Sequence, residues 1–304
     1  MNLNISVCIK LFTASVLLSQ SINLLSIPKA DAASFKFTKI ADKNTTTLSG
    51  IGYVDSTPSI SGSNVAFKGY EYVRPGNFSE VIYTKTGVDG ALIKIADTNT
   101  PIPGGKGNFT RLENISLSGS NVVFWGSDSD RRGGIYTNTG VDGALVKIAD
   151  TNTPIPGIPL GKGNFVSVYH PSISGNNVVF AAKETHTHHG IYANTGIGGA
   201  LIEIADANTP GLFGNSSFNY LRNPSIDGRN VVFSTYSTGK RGVYTNTVID
   251  GVLVKIADTS TPIPDSDGNF SYFSSPTISG NNVAFYVRVL IQEEYMQISV
   301  LVEP

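Results

Sequence analysis

Ile115-Ser-Leu-Ser-Gly-Ser-Asn-Val-Val-Phe124, then Gly134-Ile-Tyr-Thr-Asn-Thr-Gly140, then Ala144-Leu-Val-Lys-Ile-Ala-Asp150 make up a unit that occurs five times in this chain. Gly62, Gly119, Gly175, Gly228 and Gly280 mark the same point of each repeat, at spacings of 57, 56, 53 and 52 residues. The Ile-Ala-Asp triplets ending at Asp42, Asp97, Asp150, Asp206 and Asp258 mark a second point. Periods near this length built from short strands are the mark of propeller blades, none of which can bury its faces without neighbours. Within the unit, Ile115 to Ser118 reads as a strand, Gly119-Ser120 as a tight turn, and Asn121 to Phe124 as a second strand. Ile135 to Thr137 and Ala144 to Ile148 read as the third and fourth, joined through Asp142-Gly143, a pair repeated at Asp89-Gly90 and Asp250-Gly251.

The expected fold is therefore all-β: a five-bladed β-propeller of four-stranded antiparallel blades. Phe35 to Asp42 reads as a fourth strand with nothing before it, while the last repeat has no Ile-Ala-Asp. The N-terminal strand is thus expected to complete the last blade and close the ring, which removes exposed strand edges.

Residues 1–32 differ in kind from the rest. Lys10, an apolar run from Leu11 to Leu25 and Ala30-Asp31-Ala32 have the order of a secretory signal peptide, so cleavage is expected after Ala32 and residues 33–304 form one propeller domain. The run is too short to be a spanning helix, no membrane span is expected after cleavage, and the mature protein is expected to be secreted or periplasmic. The single cysteine, Cys8, leaves with the leader, which excludes disulfides and thiolate metal sites. Loss of Lys10, Lys29 and Asp31 takes the formal charge from −1 to −2. With no basic run or excess to neutralise phosphates, nucleic acid is excluded as a partner.

Pro171-Ser-Ile-Ser-Gly175, Val178-Val-Phe180 and Gly190-Ile-Tyr192 resemble the blade repeats of TolB-like propellers. Residues 33–304 as a whole resemble tandem-repeat propellers secreted by cyanobacteria and related bacteria, many of which carry a PEP-CTERM sorting tail. This chain stops at Val302-Glu-Pro304 without that tail's apolar helix and basic end, which argues against anchoring. The resemblance implies a blade and not a reaction.

Strand order sorts the loops by face. The tight turns lie at one end, and the second-to-third-strand loops and inter-blade connections lie at the other, where all the length variation falls, from Lys68–Glu80 in repeat one to Ser234–Arg241 in repeat four. Recognition is expected at that variable end. Residues just before the innermost strands should ring the channel mouth and bind a polar ligand: Thr57, Asn114, His170, Asn223 and Ser275, with Glu113, Tyr169 and Arg222 one step earlier. Residues found in every repeat read as structural. The Asp of Ile-Ala-Asp should cap the turn that leaves the fourth strand. Phe109, Phe165, Phe218 and Phe270, with Tyr53 as a displaced counterpart, should pin the inter-blade loop; the other reading makes them sugar-stacking platforms.

Only repeat three carries Glu184-Thr-His186-Thr-His-His189. On an extended segment Glu184, His186 and His188 share a face and could hold zinc or copper, against the plainer reading of a solvated loop; no other cofactor is indicated. Asp265-Ser-Asp267-Gly-Asn269 lacks the distal Glu of a calcium loop. Gly157 to Gly163 is one residue short of a phosphate loop, and no HExxH or GxSxG motif occurs. A hydrolase would need facing carboxylates, of which the mouth offers Glu113 with Asp55 near it. The chain is read as a secreted or periplasmic non-catalytic binding module for a protein or glycan partner, with a lectin or glycoside hydrolase as the alternative.

Overall fold

The computed structural model of the protein describes residues 5–6, 37–42, 45, 51–55, 57–87, 89–140, 143–157, 163–184, 189–209, 220–237, 240–246, 251–264, 268–291 and 294–302. Apart from Ile5 and Ser6, the expected leader lies outside them. They form five antiparallel sheets in chain order and contain no helix. In sheet two the strands are Arg111–Ser118, Asn121–Ser127, Gly133–Asn138 and Leu145–Asp150, each paired with the next. The first hairpin pairs Ser118 with Asn121 across Gly119-Ser120, and Gly119 has φ 59°. A positive φ at the first loop residue is the type II′ solution, which glycine takes without strain. The other four marker glycines have φ between 57° and 60°. The second hairpin is longer than the Asp-Gly pair predicts, since Asn138 pairs with Leu145 and the positive φ falls on Gly140. Gly143 is glycine for lack of room: a Cβ there would stand 1.7 Å from the Thr139 carbonyl oxygen.

The first strands begin earlier than expected. They run Arg111–Ser118, Ser167–Ser174, Tyr220–Asp227 and Tyr272–Ser279, so the residues placed before them lie inside them. In sheet two Glu113 pairs with Trp125 and Ser116 with Val123, which leaves Asn114 and Ile115 facing Phe124 alone. That is a one-residue β-bulge, and Asn114, His170, Asn223 and Ser275 all adopt left-handed φ there, between 48° and 54°. Proline follows in the last three, at positions where a bulge needs no amide donor. In sheet one the first strand is interrupted, with Ile51–Val54 and Ser59–Ser61 both paired to Asn64–Arg74. Lys68–Glu80, expected to be a loop, is an extended hairpin from Asn64–Arg74 into Asn77–Lys85.

Successive sheets pack through their first strands, as propeller blades do. The Ser-x-Ser of the repeat supplies the joint. Ser61 Oγ accepts from Gly119 N at 2.9 Å, Ser118 Oγ from Gly175 N at 2.8 Å, Ser174 Oγ from Gly228 N at 2.8 Å, and the Asp227 carboxylate from Gly280 N at 2.5 Å. One step earlier, Ser59 accepts from Leu117 N and Ser116 from Ile173 N. Hydrophobic clusters fill the layers between sheets, with Phe109, Phe165 and Phe270 almost wholly buried in them. The Phe165 ring meets Tyr192 edge to face at 4.7 Å. The pinning role therefore holds for these three, whose rings are too buried to be sugar platforms; Tyr53 is instead 50% exposed and stacked on Tyr70, and Phe218 lies outside the described residues.

Among the described residues the ring is not closed. Phe37 to Asp42, the described part of the expected closing strand, forms no strand, and Ile40 and Ala41 pack beside Phe67, Val81 and Tyr83 of sheet one. The physical reason is local. Asp42 and Thr45 make the same side-chain turn as every other Ile-Ala-Asp, so the segment behaves as the exit of a fourth strand leading into sheet one. The edge of the last sheet, Glu294–Val302, pairs instead with Ile5–Ser6.

The Asp caps are as expected. Asp97 Oδ1 accepts from Asn99 N and Thr100 Oγ1, both at 2.9 Å, and Asp150, Asp206 and Asp258 repeat the turn. A lysine three residues earlier adds an ion pair: Lys94 with Asp97 at 3.2 Å, Lys147 with Asp150 at 3.0 Å, Lys255 with Asp258 at 2.8 Å. Burial opposes ionisation of these three aspartates, but the hydrogen bonds and the ammonium outweigh it and hold their pKa values below the ordinary one. Repeat three has Glu203 in the lysine position. Partial burial, then the carboxylates of Asp206 and Glu184, push its pKa up to about 7.

A raised carboxyl pKa contributes stability that is complete below the unfolded value and is lost as pH rises through about 7. Glu203→Lys should therefore stabilise the protein, by about 0.5 kcal/mol because the side chain is exposed, and more at pH 8 than at pH 5. Denaturant titrations at the two pH values check this. By contrast, Phe165→Ala should cost about 3–5 kcal/mol in the same assay, as deletion of a buried ring does.

Candidate functional site

At the long-loop end, most of the expected residues line cavities between neighbouring sheets. Thr57, Glu113 and Asn114 share a cavity of about 180 Å³ with Asp55 and Lys68, between sheets one and two. Glu113 and Asn114 also reach the next seam, where with Tyr169 and Trp125 they line about 320 Å³. Arg222 and Asn223 line a cleft of about 400 Å³ between sheets four and five. Ser275 lies next to Ser274, which lines that cleft, and their hydroxyls are 3.2 Å apart. His170 packs edge-on against Tyr169 with ring centroids 5.1 Å apart. Burial, then the Arg222 guanidinium, lower its pKa and favour the neutral imidazole.

The seams carry different charge. In the first, Lys68 lies 3.2 Å from Glu80 and 4.0 Å from Asp55, and Glu113 is held by Arg111 at 2.5 Å. The cleft between sheets four and five is cationic and aromatic. Arg241 lies 4.8 Å from the ring centre of Tyr236 and 4.6 Å from that of Tyr272, so its guanidinium is packed by two phenol rings. Arg222 lies 5.5 Å from the Tyr220 ring, and Arg288 lies 5.1 Å from Tyr272 on its side of the seam. The row continues into sheet three, where the His189 ring is 4.7 Å from Tyr220 and its Nδ1 meets the Tyr169 hydroxyl at 2.6 Å. Burial pushes the Tyr169 hydroxyl up to about 12, with Arg222 opposing the shift, so it stays neutral at pH 7.

Tyr220, Tyr236, Arg241, Tyr272 and Arg288 were not foreseen as site residues. The usable signal was position: Tyr236 and Arg241 pair with each other where the second and third strands of sheet four meet, at the end expected to carry recognition. Stacking leaves guanidinium N–H edges free to bind an anion, while the rings hold the planes in place. Among the described residues neither Arg222 nor Arg241 pairs with a carboxylate.

For the expected metal set, Glu184 accepts from the Tyr192 hydroxyl at 2.7 Å, whereas His186 and His188 lie outside the described residues. The described residues contain no group of three ligating side chains suited to a metal ion. No described helix is long and apolar enough to cross a membrane.

No family model matches the chain. No curated protein matches it either. Among solved structures it is similar to TolB from Acinetobacter baumannii, with TM-score 0.45 and 12% identity over 81% of this chain and 54% of that one. The polysaccharide lyase Uly1 gives TM-score 0.45 and 10% identity over 83% and 58%. The β-propeller domain of the trilobed protease from Pyrococcus furiosus, described as having an open velcro topology, gives 0.39 and 11% over 85% and 84%. The chain thus spans 54% and 58% of the first two of these proteins, and no ligand or reaction is transferred from them.

The bulge that places Asn223 needs left-handed φ. Asn223→Gly should leave the melting temperature nearly unchanged, while Asn223→Val should cost about 1–3 kcal/mol, since a β-branched residue resists that region. Thermal unfolding of both variants tests whether the backbone sets the site.

Proposed function

We propose that the protein is an exported, non-catalytic binding module that holds an anionic partner at the long-loop end, in the cleft between sheets four and five. The observation that carries this reading is Arg241 packed between Tyr236 and Tyr272, with Arg222 on Tyr220 across the same cleft. A guanidinium held by its faces presents its edge, and a carboxylate fits that edge with two parallel hydrogen bonds. Asn223, Ser234 and Ser274 complete the lining with short amide and hydroxyl groups of the kind that meet sugar hydroxyls, which favours an acidic glycan as the ligand. The leader supports action in the periplasm or outside the cell. The channel-mouth residues Thr57, Glu113, Asn114, Tyr169 and His170 would then shape the neighbouring seams.

A second reading, glycoside hydrolysis, draws on Asp55 and Glu113, which line one cavity. Both carboxylates sit beside cations, Lys68 and Arg111, and that seam holds about 180 Å³, less than half the space of the Arg-Tyr cleft.

Calorimetry with a uronic-acid oligosaccharide and its carboxyl-reduced counterpart tests the proposal. The acidic sugar should bind and the neutral one should not, and added salt should weaken the interaction. Arg222→Ala and Arg241→Ala should each lose about 1–3 kcal/mol of binding free energy with little change in melting temperature. Equal affinity for the two sugars, or no effect of either substitution, refutes it. Turnover of the acidic sugar that Glu113→Gln abolishes would establish the hydrolase instead.

A further inference from the structure

Among the described residues the serine comb has an unmatched end on each terminal sheet. Leu117, Ile173 and Ile226, the middle residues of the Ser-x-Ser or Ser-x-Asp triplets in sheets two to four, are 6%, 5% and 6% exposed because the preceding sheet covers them. Their counterpart in sheet one, Ile60, is 71% exposed. Around it, Val54, Pro58, Val65 and Phe67, with Ile40 and Ala41 of the N-terminal segment on one side, line an apolar hollow of about 510 Å³ that leaves Ile60 uncovered. The N–H groups of Leu117 and Gly119 are met by serines of sheet one; among the described residues no side chain meets the equivalent N–H groups of Ile60 and Gly62. At the other end, Thr277, Ser279 and Asn282 of sheet five occupy the places of Ser59, Ser61 and Asn64, which in sheet one bind sheet two, and all three are exposed.

We propose that a second molecule of this chain fills the sheet-one face, docking the first strand of its sheet five on Ile60 in the way each sheet docks on the next. The argument is complementarity. Four junctions within the chain use the same pairing of Ser or Asp acceptors with strand N–H groups over an aliphatic centre, and among the described residues the two terminal faces carry unmatched halves of it. Such a contact is head-to-tail, so it propagates or closes into a ring of molecules. This goes beyond the anion-binding reading and does not depend on it, because the cleft between sheets four and five lies at the other end of the first strands.

The test uses the full chain with two single variants, Ile60→Lys to block the head and Ser279→Arg to block the tail. Light scattering should show wild-type mass above one chain and rising with concentration, each variant alone monomeric, and an equimolar mixture of the two forming dimers and nothing larger. Circular dichroism and melting of each variant confirm that it is folded. A wild-type protein monomeric at all concentrations overturns the proposal, as does a mixture that stays monomeric. A monomer whose melting temperature falls on Ile60→Lys would show that the chain closes on itself, which also overturns it. Binding of the acidic sugar by either variant is a separate readout and reports only on the cleft.

Discussion

The architecture depends on one hydrogen bond made repeatedly: a serine side chain on the first strand of one sheet accepting from a backbone N–H on the first strand of the next. Edge strands carry rows of unpaired amides, and those amides are normally matched by another strand. Here a side chain takes that role, so the two strands stay in separate sheets, and the layer between them is left for aliphatic and aromatic packing. The bond is worth about 1 kcal/mol net at each junction. This explains why the repeat conserves its small Ser-x-Ser-Gly element as closely within the chain as its apolar residues. Asp227 shows that the chemistry, not the residue, is what counts, since its carboxylate accepts from Gly280 in the place of a serine.

Much of this could be read from the amino-acid order. The period fixed the number of sheets, the glycines after each Ser-x-Ser located the hairpins, and the recurrent Asp and Phe were assigned their structural roles. What could not be read were the bulges. A Pro at position 171, 224 or 276 looks like the start of a strand, because proline cannot donate to a ladder. Continuation of the strand on its N-terminal side depends on the pairing of Tyr169 with Ala181 and its equivalents, which no local pattern signals. The same gap hid the cavities between sheets that these residues line. Ring closure by the N-terminal segment is not seen among its described residues for a related reason: Ile-Ala-Asp42 is the exit of a strand as much as its content, and with the turn to Thr45 it lies beside sheet one.

The charge of the seams follows from residues that differ between repeats on a backbone that does not. In the first seam each cation has a carboxylate beside it, whereas between sheets four and five the guanidiniums rest on phenol rings. Aromatic support costs less side-chain entropy than a salt bridge between two long chains, since tyrosine has few rotamers to lose. The result is a seam whose Arg222 and Arg241 are held by rings and, among the described residues, not by a carboxylate.

The left-handed bulge filters what evolution can put at the seams. Asparagine, histidine and serine occupy it in sheets two to five, and asparagine and histidine are among the non-glycine types that tolerate positive φ best. Thr57 holds the same place in sheet one, and its branched Cβ is poorly suited to that conformation. The strand is broken there from Asp55 to Pro58, and the extended Lys68–Glu80 hairpin grows out beside the gap. The branched residue thus coincides with the first strand that is interrupted among the described residues. Drift at these positions changes more than a side chain at the surface: it decides whether the innermost strand is one piece or two, and so how much of the repeat remains interchangeable.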